Sequence, residues 1–248
     1  MKIAAAVVVA LLSLACSSDQ DTKQVEKADY HYQLASGYYF DQNVPMAIQE
    51  LDTALAMNPR NEQAHFLMAF INMGRKQYTE AILHLKAALE IKPNYFEARE
   101  NLGAVYLAMQ RWDDAIATLE PLLSEHLYAT PYLLHNNLGY AYKSKKSYDQ
   151  ATQHFQRAVF LNPRFCLGLF NLGETFLLQG DQPGAVRQFK KAVEKCPNYA
   201  DPYYQLGVVF EKRGRPTEAT DYYKLCMKYG GESPVAERCR TRVEGDVL

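Results

Sequence analysis

Residues Tyr132–Phe165 read YLLHNNLGYAYKSKKSYDQATQHFQRAVFLNPRF. Leu134, Leu138 and Tyr142 stand four residues apart, the spacing of one face of an α-helix. Tyr148, Ala151, Phe155 and Ala158 repeat that logic on a second helix. Gly139 and Ala151 are small, which lets two antiparallel helices approach closely. Pro163 has no amide hydrogen and biases its predecessor away from helix, so the second helix ends there. The stretch predicts a helix–turn–helix hairpin.

The pattern recurs along the chain. Asn101-Leu102-Gly103, Asn137-Leu138-Gly139 and Asn171-Leu172-Gly173 share one register, with Gln205-Leu206-Gly207 as a fourth instance. Prolines keep the same clock: Pro59 to Pro93 and Pro163 to Pro197 are each 34 residues apart. Between Pro93 and Pro163 the clock runs two residues long, which marks Thr130-Pro131 as an insertion. Six units fit, at 28–61, 62–95, 96–129, 132–165, 166–199 and 200–233. Their close-contact slot holds Ala35, Ala69, Gly103, Gly139, Gly173 and Gly207. The facing slot on the second helix holds Ala47, Ala81, Ala115, Ala151, Ala185 and Ala219. Pro45, Pro183 and Pro216 fall near the starts of second helices, where a missing N–H is tolerated.

In period and pattern this array resembles the tetratricopeptide repeat. The resemblance implies an all-α fold, a right-handed superhelical solenoid of six such repeats over 28–233. Stacked repeats bury their apolar faces on neighbours and need a polar cap at the end. Residues 234–248 are read as a capping helix and tail, with Val235, Cys239 and Val243 forming one apolar stripe. Pro121 interrupts the second helix of the third repeat, and a kinked or shortened helix is expected there.

The N-terminus has a different character. Met1-Lys2 precedes an uninterrupted apolar run from Ile3 to Leu12, too short for the roughly 20 residues of a spanning helix. Residues 1–15 therefore read as a secretory signal peptide. Leu12-Ser13-Leu14-Ala15-Cys16 resembles a lipobox, with Ser13 where leucine is commonest, and implies cleavage before Cys16 and acylation of that cysteine. Ser13 and Ala15 also satisfy ordinary signal-peptidase spacing, which leaves a non-lipidated secreted protein as the alternative. By analogy with enteric sorting, Ser17 after the cysteine implies the outer membrane. Residues 16–27 read as a polar, lipid-anchored tether.

Reactive constellations are missing from the sequence. It carries no G-x-S-x-G, H-E-x-x-H, P-loop or dinucleotide glycine fingerprint, so no enzyme, cofactor or small-molecule substrate is expected. With 27 basic and 28 acidic residues, nothing in the charge favours nucleic acid. His31, His65 and His135 share one repeat slot, too far apart across neighbouring repeats to share a metal, and no metal site is expected. Cys166, Cys196, Cys226 and Cys239 form no C-x-x-C pair. An even number in an exported chain allows disulfides in three connectivities. An antiparallel hairpin favours Cys166–Cys196, and docking of the capping helix on the last repeat's second helix favours Cys226–Cys239; the alternative is four small buried apolar residues.

Function then falls to recognition. In tetratricopeptide arrays the first helices line a concave surface. Here that implies a partner-binding groove of Tyr32, Tyr39, Phe40, Phe66, Phe70, Met73, Leu107, Tyr140, Phe170, Leu177, Tyr204 and Val208. So aromatic a lining suits an extended or helical peptide segment. Clamps for acidic chaperone tails place basic and asparagine side chains where this chain has Tyr32, Ser36, Leu67 and Glu97, which disfavours that partner class.

Signal peptide, acylatable cysteine, tether, six repeats and cap together resemble the type IV pilus biogenesis and stability lipoproteins, the PilF/PilW/Tgl group of secretin pilotins. The resemblance covers essentially the whole chain. It implies a non-enzymatic lipoprotein facing the periplasm from the outer membrane. There it would bind type IV pilus secretin subunits and promote their localisation and multimerisation, hence pilus assembly and motility. The alternative is a lipoprotein scaffold for other envelope machinery, such as barrel assembly or peptidoglycan hydrolases.

Overall fold

The computed structural model describes residues 22–125 and 130–245. The expected signal peptide, Cys16 and the first part of the expected tether lie outside the described residues. The chain divides into two compact units, with the boundary between Met109 and Gln110. Among the described residues there is no strand, and no helix is long and apolar enough to cross a membrane.

The first unit contains α1 (residues 22–40), α2 (Val44–Met57), α3 (Glu62–Gly74), α4 (Tyr78–Ile91) and α5 (Phe96–Ala108). Residues 22–27, assigned to the tether from sequence, are helical instead. Gln24, Glu26 and Lys27 are good helix formers, Gln24 Nε2 donates to the Met57 carbonyl at 3.1 Å, and Ala28 is fully buried. Ala35, Ala47, Leu51, Ala54, Ala64, Met68 and Ile71 form one buried cluster.

The second unit contains α6 (Trp112–Leu119), a 3₁₀ turn (Glu120–Ser124), α7 (Pro131–Ser144), α8 (Tyr148–Leu161), α9 (Cys166–Leu178), α10 (Gln182–Lys195), α11 (Ala200–Lys212), α12 (Pro216–Gly230) and α13 (Pro234–Gly245). α6 stops two residues before Pro121, and the chain continues as the 3₁₀ turn that holds the proline at its second position. Small slots on first helices face rings on second helices. A Cβ on Gly139 would stand 2.8 Å from the Phe155 ring, on Gly173 2.5 Å from Phe189, and on Gly207 2.4 Å from Tyr223. All three rings are buried to within about 2% exposure. At the C-terminus, α13 buries Val235, Ala236 and Cys239 and presents Arg238, Arg240 and Arg242 outward. Arg242 and the Tyr223 hydroxyl both donate to Glu211, at 2.9 Å and 2.6 Å.

The turns inside the repeats are uniform. Gln42, Lys76, Gln110, Lys146, Gly180 and Gly214 occupy the same repeat position, and all have φ between 58° and 83°. The next residue's N–H closes a bond back to the first helix, as in Asn43 to Tyr38 O, Gln77 to Asn72 O, Ser147 to Tyr142 O, Asp181 to Phe176 O and Arg215 to Phe210 O. This is the Schellman ending, which satisfies helix-terminal carbonyls through one left-handed residue.

Candidate protein-docking site

In the first unit, the ends of α1 and α3 lie side by side. Tyr39 meets Phe70 edge to face with ring centroids 5.9 Å apart. Together with Val44, Ile71, Met73, Gly74 and Arg75 they line a cleft of about 560 Å³ whose walls are mainly apolar. Three of these lining residues, Tyr39, Phe70 and Met73, belong to the groove read from sequence. Beside it on α1, Phe40 is 87% exposed, and Phe70 is 43% exposed. Large rings held at a rigid helix end lose little conformational freedom when a partner covers them, as binding anchors must. The charged group among its lining residues is the Arg75 guanidinium.

The remaining first-unit residues of the expected groove are half-buried. Tyr32 packs on the unit's core. Phe66 leans on Tyr95 at 4.9 Å, and Lys92 sits 4.6 Å above the same tyrosine. Burial first, then Tyr32, Glu97 and Glu62, push the Tyr95 phenol up to about 12, so it remains protonated at neutral pH. Leu107 is half-buried on α5.

The second unit uses its share differently. Tyr140 is 40% exposed, with Trp112 edge-on at 5.9 Å and the Lys143 ammonium 5.4 Å above it. Phe170, Leu177, Tyr204 and Val208 pack against the unit's own C-terminal core. Phe170 touches Phe189 and Tyr199, at 5.8 and 5.6 Å, while Tyr204 lies under Arg238 at 4.6 Å. Glu174 on α9 pairs with Lys143 on α7 at 2.9 Å.

The structure joins Cys166 to Cys196 and Cys226 to Cys239, each with Cα atoms 6.3 Å apart. Cys166 opens α9 and Cys196 caps α10, while Cys226 on α12 meets Cys239 on α13.

Sequence reasoning compared first-helix histidines only with one another and missed their partners. His65 Nδ1 lies 2.9 Å from His84 Nδ1, and His135 Nδ1 lies 3.0 Å from His154 Nδ1. His31 meets Glu50 at 2.6 Å in the same slots. The available signal was the spacing: all three pairs are 19 residues apart. Burial first, then His65, lowers His84 against an opposing pull from Asp52. Burial, His154 and Arg157 bring His135 down to about 4, and burial lowers His154 against Glu120.

Models of the tetratricopeptide repeat match residues 32–96, 72–127, 132–165, 173–214 and 200–229. Among curated proteins, anaphase-promoting complex subunit 3 of Schizosaccharomyces pombe is 20% identical over 81% of this chain and 30% of its own length. BBSome complex member BBS4 of Xenopus tropicalis is 32% identical over 49% of this chain and 23% of its own. The chain thus spans under a third of these relatives. Among solved structures, PilW, described as a widely conserved type IV pilus biogenesis factor, superposes with a TM-score of 0.76 at 24% identity, over 86% of this chain and 98% of PilW. PilF of Pseudomonas aeruginosa gives 0.72 at 18%, over 88% and 99%. MamA gives 0.59 at 24%, over 65% and 94%.

Proposed function

We propose that this chain, a tetratricopeptide repeat protein, is a protein-binding scaffold of type IV pilus biogenesis, acting as an outer-membrane lipoprotein that receives secretin subunits. The observation that carries the reading is the cleft of Tyr39, Phe70 and Met73 with Phe40 exposed beside it. Such a surface covers apolar side chains of a client until assembly buries them. The likeness of fold to PilW and PilF, nearly end to end in those proteins, supports the pilus assignment over other scaffolds. An acyl chain at Cys16 would hold the scaffold, and whatever it has bound, at the outer membrane facing the periplasm.

The test is an immunoblot of unboiled outer membranes from a strain lacking the gene, probed for secretin multimers. Loss of multimers with accumulation of monomers is the expected result. Unchanged multimers would reject the secretin assignment and turn attention to other envelope machinery, with crosslinking from Phe40 as the route to the partner.

A further inference from the structure

No histidine lines the cleft, and the two histidine pairs play no part in the proposed docking. They are near copies. In each, the ring centroids are 5.2 Å apart and the planes are tilted by 41° or 40°. Each pair joins a first helix to the second helix of the same repeat and turns Nδ1 toward Nδ1, at 2.9 and 3.0 Å. For two nitrogens each bound at about 2.0–2.1 Å, that separation subtends about 90° at a metal.

We propose that each pair is a bidentate site for a late first-row divalent cation, Cu(II) or Ni(II), whose preferred tetragonal geometry sets neighbouring ligands at that angle. A second observation points the same way. His65 Nε2 lies 3.1 Å from the Pro59 carbonyl and donates to it, which places that ring's proton on Nε2 and leaves the Nδ1 lone pair facing His84. Metal-binding histidines are commonly oriented by such a carbonyl on the far nitrogen. In the free protein one Nδ1–H of each pair donates to the other Nδ1. Metal takes that proton's place, and the donating ring shifts to its Nε2–H tautomer, with no net change in protons. Among the described residues no group of three His, Cys, Asp or Glu side chains converges on either pair. The protein thus supplies two nitrogens, and water fills the remaining positions.

Equilibrium dialysis of the full chain against Ni(II) tests the proposal. Two saturable sites are expected, falling to one in His65→Gln and to none in His65→Gln/His135→Gln. Equal uptake by wild type and the double variant overturns it, as does no uptake by wild type. Where the double variant loses its helical circular dichroism, Cu(II) electron paramagnetic resonance on the wild type decides. Hyperfine coupling to two imidazole nitrogens supports the site, and a spectrum without nitrogen coupling rejects it.

Discussion

The first two repeats and the last three solve one packing problem in opposite ways. In the first two repeats the close-contact slot is alanine, and the second helix carries a buried leucine: Ala35 with Leu51, Ala69 with Leu85. In the second unit the slot is glycine, and the answer is a buried ring: Gly139 with Phe155, Gly173 with Phe189, Gly207 with Tyr223. Removing one methyl from the first helix makes room for an aromatic side chain in the core. On the first helices of the first two repeats, Phe40 and Phe70 reach solvent. Aromatic side chains are thus buried in the core of the last three repeats and stand exposed at Phe40 and Phe70 in the first two.

Removing a core ring should have the largest effect. Phe189→Ala leaves a cavity against a glycine, which has no side chain to fill it, and is expected to cost about 3–5 kcal/mol. Chemical denaturation should show the loss in the second unit's transition only; equal loss in both transitions would erase the distinction. Both disulfides also belong to the second unit. Reduction is expected to destabilise that unit by about 2–4 kcal/mol per bridge and leave the first unit unmoved, measured by the same denaturation with and without reductant.

The pairing itself can be broken and remade. Gly173→Ala places a Cβ against Phe189 and is expected to cost about 1–3 kcal/mol by overpacking. Adding Phe189→Leu converts the pair to the first unit's alanine–leucine form and should recover part of that loss relative to the sum of the single changes. Strict additivity would mean that the two positions do not share a volume.

The smallest effect concerns the turns. Gln42 and Lys76 hold left-handed backbone that the last two repeats give to Gly180 and Gly214. Lys76→Gly removes that steric cost, roughly 1–2 kcal/mol, against a glycine entropy cost of roughly 0.5–1 kcal/mol. A net gain of a few tenths to about 1 kcal/mol is expected in the first unit's unfolding. The matching change at Lys146 should act on the second.

Much of this was legible in the sequence because it is local or periodic. The 34-residue clock, the glycine and alanine slots and the helix-ending prolines each act within one hairpin. Pro121 announced the shortened α6 by the same backbone rule. What stayed hidden depends on contacts between helices or on backbone angles without a residue signature. Lys76 and Lys146 carry no mark of their left-handed conformation, since glycine marks that turn only in the last two repeats. His84 and His154 gain meaning only once the second helix is laid antiparallel on the first. Thr22 to Lys27 looked like a tether because their polarity hides that Gln24 ties this turn to α2. Half-burial of Phe170 and Tyr204 follows from rings on neighbouring helices, which helical periodicity does not register.

The comparison makes its sharpest demand on binding. Purified secretin subunits would be titrated against the wild-type chain, Phe40→Ser/Phe70→Ser in the first unit, and Tyr140→Ser in the second. Loss of two central anchors should cost about 2 kcal/mol or more, roughly thirtyfold in affinity, while Tyr140→Ser changes little. Unchanged affinity in the double variant, with its fold intact, would contradict the assignment of the first unit's cleft as the docking surface.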